Sequence, residues 1–290
     1  MAFNDRINGE LRKDFPISEG SCENCAPIGK GPDVGGVDPL RTSGRNQAQG
    51  NPSMKVFVIN LEQSKDRMAS MRRQLDALHV EFERFPAVWG KTLSPSELHR
   101  SFCPVRSYLS EGSRLTLGAI GCALSHDAVY ARMIKDGIAA AVVLEDDVLI
   151  DERLPDVLGR IDARIDVARP QVYMLSSHGV ADAGINDFAR VGGAMCTDGY
   201  VITRPAAELI YRTNFPVISV CDKWRRWVKR HGLELYQSWP SVVRQDNATF
   251  GTLINETMPK RARGLWWLVR KMIRAVEKLI DWTLYVITGR

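Results

Sequence analysis

The sequence predicts an α/β fold built on a largely parallel sheet with helices on both faces. Two observations lead there. From residue 54 to about residue 259, short apolar runs alternate with stretches whose apolar residues recur at helical spacing. One of those runs, AAAVVLEDDVLI (139–150), passes from core-forming residues directly into three acids. Acids suit the carboxyl end of a buried parallel strand, where open α/β sheets bind their ligands.

Each element follows from its own pattern. Lys55–Asn60 reads as a buried strand, and 64–78 as a helix with Ser64 at its N-cap and Met68, Met71, Leu75 and Leu78 on one face. A second strand spans 82–88. Leu117–Lys135 is helical, with Ile120, Leu124, Ala128, Ala131 and Ile134 in step, and Gly137 ends it. A central strand at 140–144 follows, then a helix near 151–163. QVYMLSS (171–177) and CTDGYVITR (196–204) read as strands, and 205–212 and 222–230 as helices. No internal repeat is visible.

Charge is unevenly spread. The net charge of +5 at pH 7 is concentrated in residues 260–290, which carry eight basic and two acidic groups. Residues 54–259 hold equal numbers of each sign, which argues against nucleic-acid binding by the folded part. The six cysteines (Cys22, Cys25, Cys103, Cys122, Cys196, Cys221) are irregularly spaced, and the start of the chain lacks the basic-then-apolar layout of a secretion leader. Free thiols in a reducing, cytoplasmic compartment are expected. Cys22-x-x-Cys25 has no second pair nearby to complete a zinc site.

Three regions result. Residues 1–53 contain eight Gly and five Pro without any period, so they are expected to be disordered. The periodic pattern starts abruptly at MKVFVINLEQSKDR, which makes Met54 an alternative translation start. Residues 54–259 are expected to form the folded domain. In the tail, 260–290, the charges of Arg270, Lys271, Arg274, Glu277, Lys278 and Asp281 fall on one narrow stripe, with Trp266, Trp267 and Trp282 close by. Six charges at about 3 kcal/mol each disfavour a spanning helix. A helix lying on an anionic membrane surface fits the pattern, and so does a helix docked on the protein's own core. Lys260, Arg261 and Arg263 would add about 1 kcal/mol each of attraction to anionic lipid.

Glu145, Asp146 and Asp147 repel one another at close range, and a hard divalent cation, Mg²⁺ or Mn²⁺, relieves that repulsion. Strand alternation turns the first and third side chains the same way, so Glu145 and Asp147 are the candidate ligands. An ordinary polar turn after a strand reads the same. VINLEQSKDR (58–67) leaves another strand end with Asn60, Asp66 and Arg67, groups suited to a base, a ribose or a phosphate. LTLGAIGCALSH (115–126) opens a helix with two glycines and brings His126 one turn later; the glycines allow close backbone approach or tight helix packing.

Taken in order, VFVINLEQSKDR, FERFPAVWGKTL, LTLGAIGCALSHDAVY, AAVVLEDDVLI, GYVITRPAAELI and PVISVCDKW resemble glycosyltransferase family 25, the lipooligosaccharide galactosyltransferases. The resemblance covers about residues 54–250. It implies a GT-A-like, Rossmann-type nucleotide-sugar-binding fold. It also implies transfer of a hexose, typically galactose from UDP-galactose, onto lipopolysaccharide, lipooligosaccharide or a related lipid-linked glycan, with inversion. The acidic triplet then resembles the family's Asp-x-Asp metal motif with Glu in first place, and Asp146 faces the ribose or the protein. His126 acquires a donor-site role. An inverting transfer needs a base, for which Asp222 and Asp198 are candidates with His126 and His178 behind them. Asp222 equally suits an N-cap and Asp198 a turn. Such an enzyme is expected to be peripheral on the inner face of the cytoplasmic membrane. The competing readings are a non-catalytic nucleotide-binding adaptor at the membrane and a metal-dependent phosphotransferase, although no phosphate-cradling Gly-x-x-x-x-Gly-Lys loop occurs.

Overall fold

The computed structural model describes residues 54–177, 186–246 and 248–250, together with Leu268 and Met272. The chain divides into two compact units, 50–267 and a second made of 1–49 with 268–290. Of the second unit, Leu268 and Met272 are described; both are helical and exposed. The expectations for residues 1–53, for the tail helix and for His178 lie outside the described residues.

In the first unit the order is β1 (Lys55–Asn60), α1 (Lys65–Ala77), β2 (Glu83–Pro86), α2 (Pro95–Ser101), α3 (Pro104–Glu111), α4 (Leu117–Lys135), β3 (Ala140–Glu145), β4 (Val148–Ile150), α5 (Leu154–Asp162), β5 (Gln171–Met174), β6 (Phe188–Arg190), β7 (Gly199–Thr203), α6 (Arg204–Asn214), α7 (Trp224–His231), β8 (Glu234–Ser238) and β9 (Val243–Gln245). Seven strands form one sheet in the order β2-β1-β3-β7-β5-β8-β6, and β4 pairs with β9 beside it.

The sheet is mainly parallel but mixed. β1, β2, β3, β5 and β8 share one direction, whereas β7 runs against β3 and β5, and β6 runs against β8. Among the described residues no helix lies between β5 and β7 to return the chain to the sheet's starting end. A strand entered without such a crossover runs antiparallel. The reversal has a functional consequence, since it brings the start of β7 beside the end of β3.

Central strands are apolar on both sides because both faces are covered. Val56, Val58, Val142, Leu144 and Val201 pack with Met68, Met71 and Leu75 of α1 and with Leu154, Val157, Leu158 and Ile161 of α5. The alternate strand residues face the other way, where Tyr130 of α4 meets Tyr200 of β7 with 2.8 Å between hydroxyl oxygens. Each fully buried aliphatic side chain contributes about 1.5–3 kcal/mol. A smaller cluster of Leu115, Ile120, Ala123, Leu124 and Val217 seats the start of α4 on the segment from Val88 to Phe102.

Candidate active site

Three strand ends converge. The register pairs Ile59 with Glu145 and Leu144 with Gly199, so Asn60, the acidic triplet and Asp198 meet at one edge. The triplet's backbone is held from both sides. The Glu145 N–H donates to the Asp198 carbonyl (2.9 Å), and the Asp147 carbonyl accepts from the Asp246 N–H (2.7 Å). The side chain of Gln74 clips the following turn, donating to the Val148 carbonyl (3.1 Å) and accepting from the Ile150 N–H (2.8 Å).

The acids divide into two groups. β3 ends at Glu145 and the chain bends at Asp146 and Asp147, so strand alternation stops applying there. Asp146 and Asp147 both turn to Arg67, whose Nη1 lies 3.0 Å from one oxygen of each. Asn60 donates from Nδ2 to Asp146 (2.6 Å), and Arg84 donates from Nε to the Asn60 oxygen (2.8 Å). The ring of Phe250 lies 5.6 Å from the Arg67 guanidinium carbon. Glu145 turns the other way. Its Oε1 accepts from the Thr197 hydroxyl (2.5 Å) and lies 3.4 Å from His126 Nε2, while His126 Nδ1 meets the Tyr200 hydroxyl at 2.7 Å.

Electrostatics follows from this geometry. Burial pushes the Asp147 carboxyl up to about 6, reinforced by the charges of Glu145, Asp146 and Asp198 and opposed by Arg67. Burial likewise raises Asp146, against the pull of Asn60 and Arg67. Glu145 moves the opposite way, because His126, Thr197 and Arg67 outweigh its burial.

Asp198, at 2% exposure, is sealed beneath this edge. Asp222 is half-buried, and the Cys196 N–H helps hold its carboxylate. It is not the N-cap of the next helix: α7 starts at Trp224 with Lys223 at the cap. The structure therefore brings together Asn60, Arg67, Glu145, Asp146, Asp147, Asp198 and, through Glu145, the fully buried His126. Asp66 stands apart, exposed in the first turn of α1 where its charge suits the helix N-terminus. Arg84, Thr197 and Tyr200 were not singled out from sequence. Arg84 lies in the quoted FERFPAVWGKTL, but its role depends on the pairing of β2 with β1.

One observation bears on a divalent cation. Asp147 Oδ1 is buried and has no hydrogen-bond partner, in a site where four carboxylates are crowded. An orphaned hard oxygen among excess negative charge fits Mg²⁺ or Mn²⁺.

The sequence model of glycosyltransferase family 25 (LPS biosynthesis protein) matches residues 53–178. Over that segment the chain is similar to glycosyltransferase family 25. A glycosyltransferase 25 family member of Drosophila melanogaster is 35% identical over 97 residues, 32% of this chain and 16% of that protein. Procollagen galactosyltransferase 1-A of Xenopus laevis is 36% identical over 96 residues, 32% of this chain and 16% of that protein. Human procollagen galactosyltransferase 2 is 33% identical over 118 residues, 40% and 19% of the two chains. The matches thus span under a fifth of the length of these relatives. The family 25 segment supplies Asn60, Arg67, Arg84, His126 and the acidic triplet, whereas Thr197, Asp198 and Asp222 lie beyond it.

Proposed function

We propose that this chain is a metal-dependent, GT-A-type glycosyltransferase. It moves a hexose, galactose in the first instance, from a UDP-sugar to a hydroxyl of a lipopolysaccharide-like or related lipid-linked glycan, with inversion. The observation that carries this reading is the buried, unpartnered oxygen of Asp147 at the meeting point of β1, β3 and β7. The match of residues 53–178 to the family 25 model and the galactosyltransferase names of the relatives support the reaction class.

Each residue has a physical task in that reaction. Asp147, through its unpartnered oxygen, would hold the cation, which would supply Lewis acidity to offset the charge that builds on a departing diphosphate, whereas Glu145, the other ligand expected from the sequence, turns instead to Thr197 and His126. Arg67 keeps Asp146 and Asp147 ionised and aimed despite their burial. Asn60, fixed by Arg84, locks Asp146 at the sheet edge, leaving that carboxylate to orient the donor's ribose. Asp222 is the base: it takes the acceptor hydroxyl's proton as that oxygen bonds to the anomeric carbon and the carbon–oxygen bond to UDP breaks. Burial raises its proton affinity, as a base working near neutrality requires. Asp198, more deeply buried, positions Glu145 through its carbonyl.

A screen of nucleotide sugars for Mn²⁺-dependent UDP release tests the proposal. Release from UDP-galactose is expected, with Asp147→Asn and Asp222→Asn each lowering it by at least about 100-fold. No release from any nucleotide sugar, with no rise in melting temperature from UDP and Mn²⁺ together, rejects it in favour of a non-catalytic adaptor.

A further inference from the structure

Behind Glu145, on the side away from Arg67, lies a second group of ligand-type side chains that the transfer reaction does not use. Cys122 and His126 stand four residues apart on α4 and so share one face of the helix. Cys221 reaches the same point from the segment before α7. Their ligand atoms all lie within 4.8 Å of one another, the two sulfurs being 3.4 Å apart. Both thiols are free. We propose that Cys122, His126 and Cys221 bind a soft divalent cation, Zn²⁺, at a site distinct from the Mn²⁺ or Mg²⁺ site.

The donor set argues for that metal. Thiolate and imidazole select zinc over magnesium or manganese, which prefer oxygen. With Zn–S bonds of about 2.3 Å, two sulfurs of a tetrahedral site stand about 3.8 Å apart, a few tenths of an ångström from their present separation. The surroundings are also those of a metal-binding histidine. His126 turns Nδ1 to the Tyr200 hydroxyl, and Tyr200 is held in turn by the Tyr130 hydroxyl, which leaves Nε2 aimed at Glu145. Such a partner on the far ring nitrogen fixes the tautomer and orientation of a ligating imidazole. Glu145 Oε1 and the Thr197 hydroxyl, which lies 3.5 Å from Cys221 Sγ, close the remaining side, where a water or the carboxylate completes the coordination.

The placement gives the cation a task. It ties the core helix α4 to the segment that carries Asp222, one residue beyond Cys221, and it fixes the floor under Glu145. Zinc thus holds the two halves of the candidate active site in register, without being required for the metal chemistry of the donor.

The test uses the full chain expressed with zinc and purified under reducing conditions. About one zinc per chain is expected, retained in Cys103→Ser and in Cys22→Ser/Cys25→Ser, and lost in Cys122→Ser/Cys221→Ser. Cobalt exchange is expected to give the thiolate charge-transfer and tetrahedral ligand-field bands, and Tyr200→Phe to weaken metal affinity by about 10- to 100-fold. Less than about a tenth of an equivalent of zinc together with no cobalt–thiolate band overturns the site. Zinc that survives the double cysteine variant, or a disulfide between Cys122 and Cys221 in protein isolated without reductant, also overturns it. UDP release restored by Mn²⁺ is measured separately, so failure of the zinc site and failure of the transferase reading are distinguishable.

Discussion

Asp147 carries a conflict that the rest of the site manages. Its carboxyl is raised from 3.8 to about 6 by burial and by its acidic neighbours. A carboxyl that holds its proton more tightly when folded stabilises the fold fully below about pH 4, and that stability is lost as pH rises through 6. In metal-free protein above pH 7, the charged Asp147 therefore costs up to about 3 kcal/mol. Asp147→Asn should recover part of that cost in the presence of chelator while abolishing stabilisation by Mn²⁺. Urea denaturation at pH 5 and pH 8 checks this; a difference between variant and parent that does not grow with pH removes the assignment. Arg67 works in the opposite sense. Arg67→Met leaves two buried carboxylates without their cation and should cost about 3–5 kcal/mol at pH 8, with a smaller loss at pH 5, where protonation relieves Asp147. Most of these residues were legible in the sequence, because chemistry-bearing side chains at strand ends announce themselves. Arg84 and Thr197 were not, since their partners, Asn60 and Glu145, come from other strands whose register no single segment encodes.

At the scale of elements, α4 shows why its glycines are there. A Cβ on Gly121 would lie 2.6 Å from both the Val88 carbonyl oxygen and the Gly90 nitrogen, and one on Gly90 would lie 1.8 Å from the Leu117 carbonyl. Backbone packs on backbone at this point, and Ser125 ties it by accepting from the Val88 N–H (2.8 Å). For Gly121, the close backbone approach read from LTLGAIGCALSH is thus observed. Gly121→Ala should cost about 1–3 kcal/mol despite alanine's better helix propensity. Gly159→Ala, in the exposed middle of α5 with nothing within 4 Å of the new carbon, should instead gain up to about 1 kcal/mol. Thermal melts of the two variants make the comparison, and equal shifts would show that the close approach is not a constraint. β1 and α4 coincide with their sequence expectations because period and ends agreed. The short helices α2 and α3 are not among the sequence expectations, although Ser94 and Glu97 form a capping box, with the Ser94 hydroxyl accepting from the Glu97 N–H at 3.3 Å and Pro95 at the first helical position. That signal was present. The reversed direction of β7 left none, because a strand's own residues are alike in either direction when both of its faces are buried.

For the whole molecule, charge and function are separated along the chain. Residues 54–259 are electrically neutral, while 260–290 carry a net charge of +6, with the bases Arg270, Lys271, Arg274 and Lys278 beside apolar and Trp-rich sequence. Among the described residues no helix is long and apolar enough to cross a membrane. If the acceptor is lipid-linked, the enzyme gains from residence at an anionic surface, where each base near the headgroups contributes about 1 kcal/mol within a Debye length of roughly 8 Å at physiological salt. The full chain should therefore pellet with vesicles containing phosphatidylserine, weakly with neutral vesicles, and progressively less as salt rises. Replacing Arg270, Lys271, Arg274 and Lys278 by Glu keeps the apolar residues but reverses the attraction, and it should abolish pelleting while leaving Mn²⁺-dependent UDP release with a soluble acceptor unchanged. Truncation after Pro259 should act in the same way. Pelleting that survives both changes would assign membrane attachment to another surface, and loss of UDP release in the charge-reversed chain would mean that the basic stripe serves the donor site rather than the lipid.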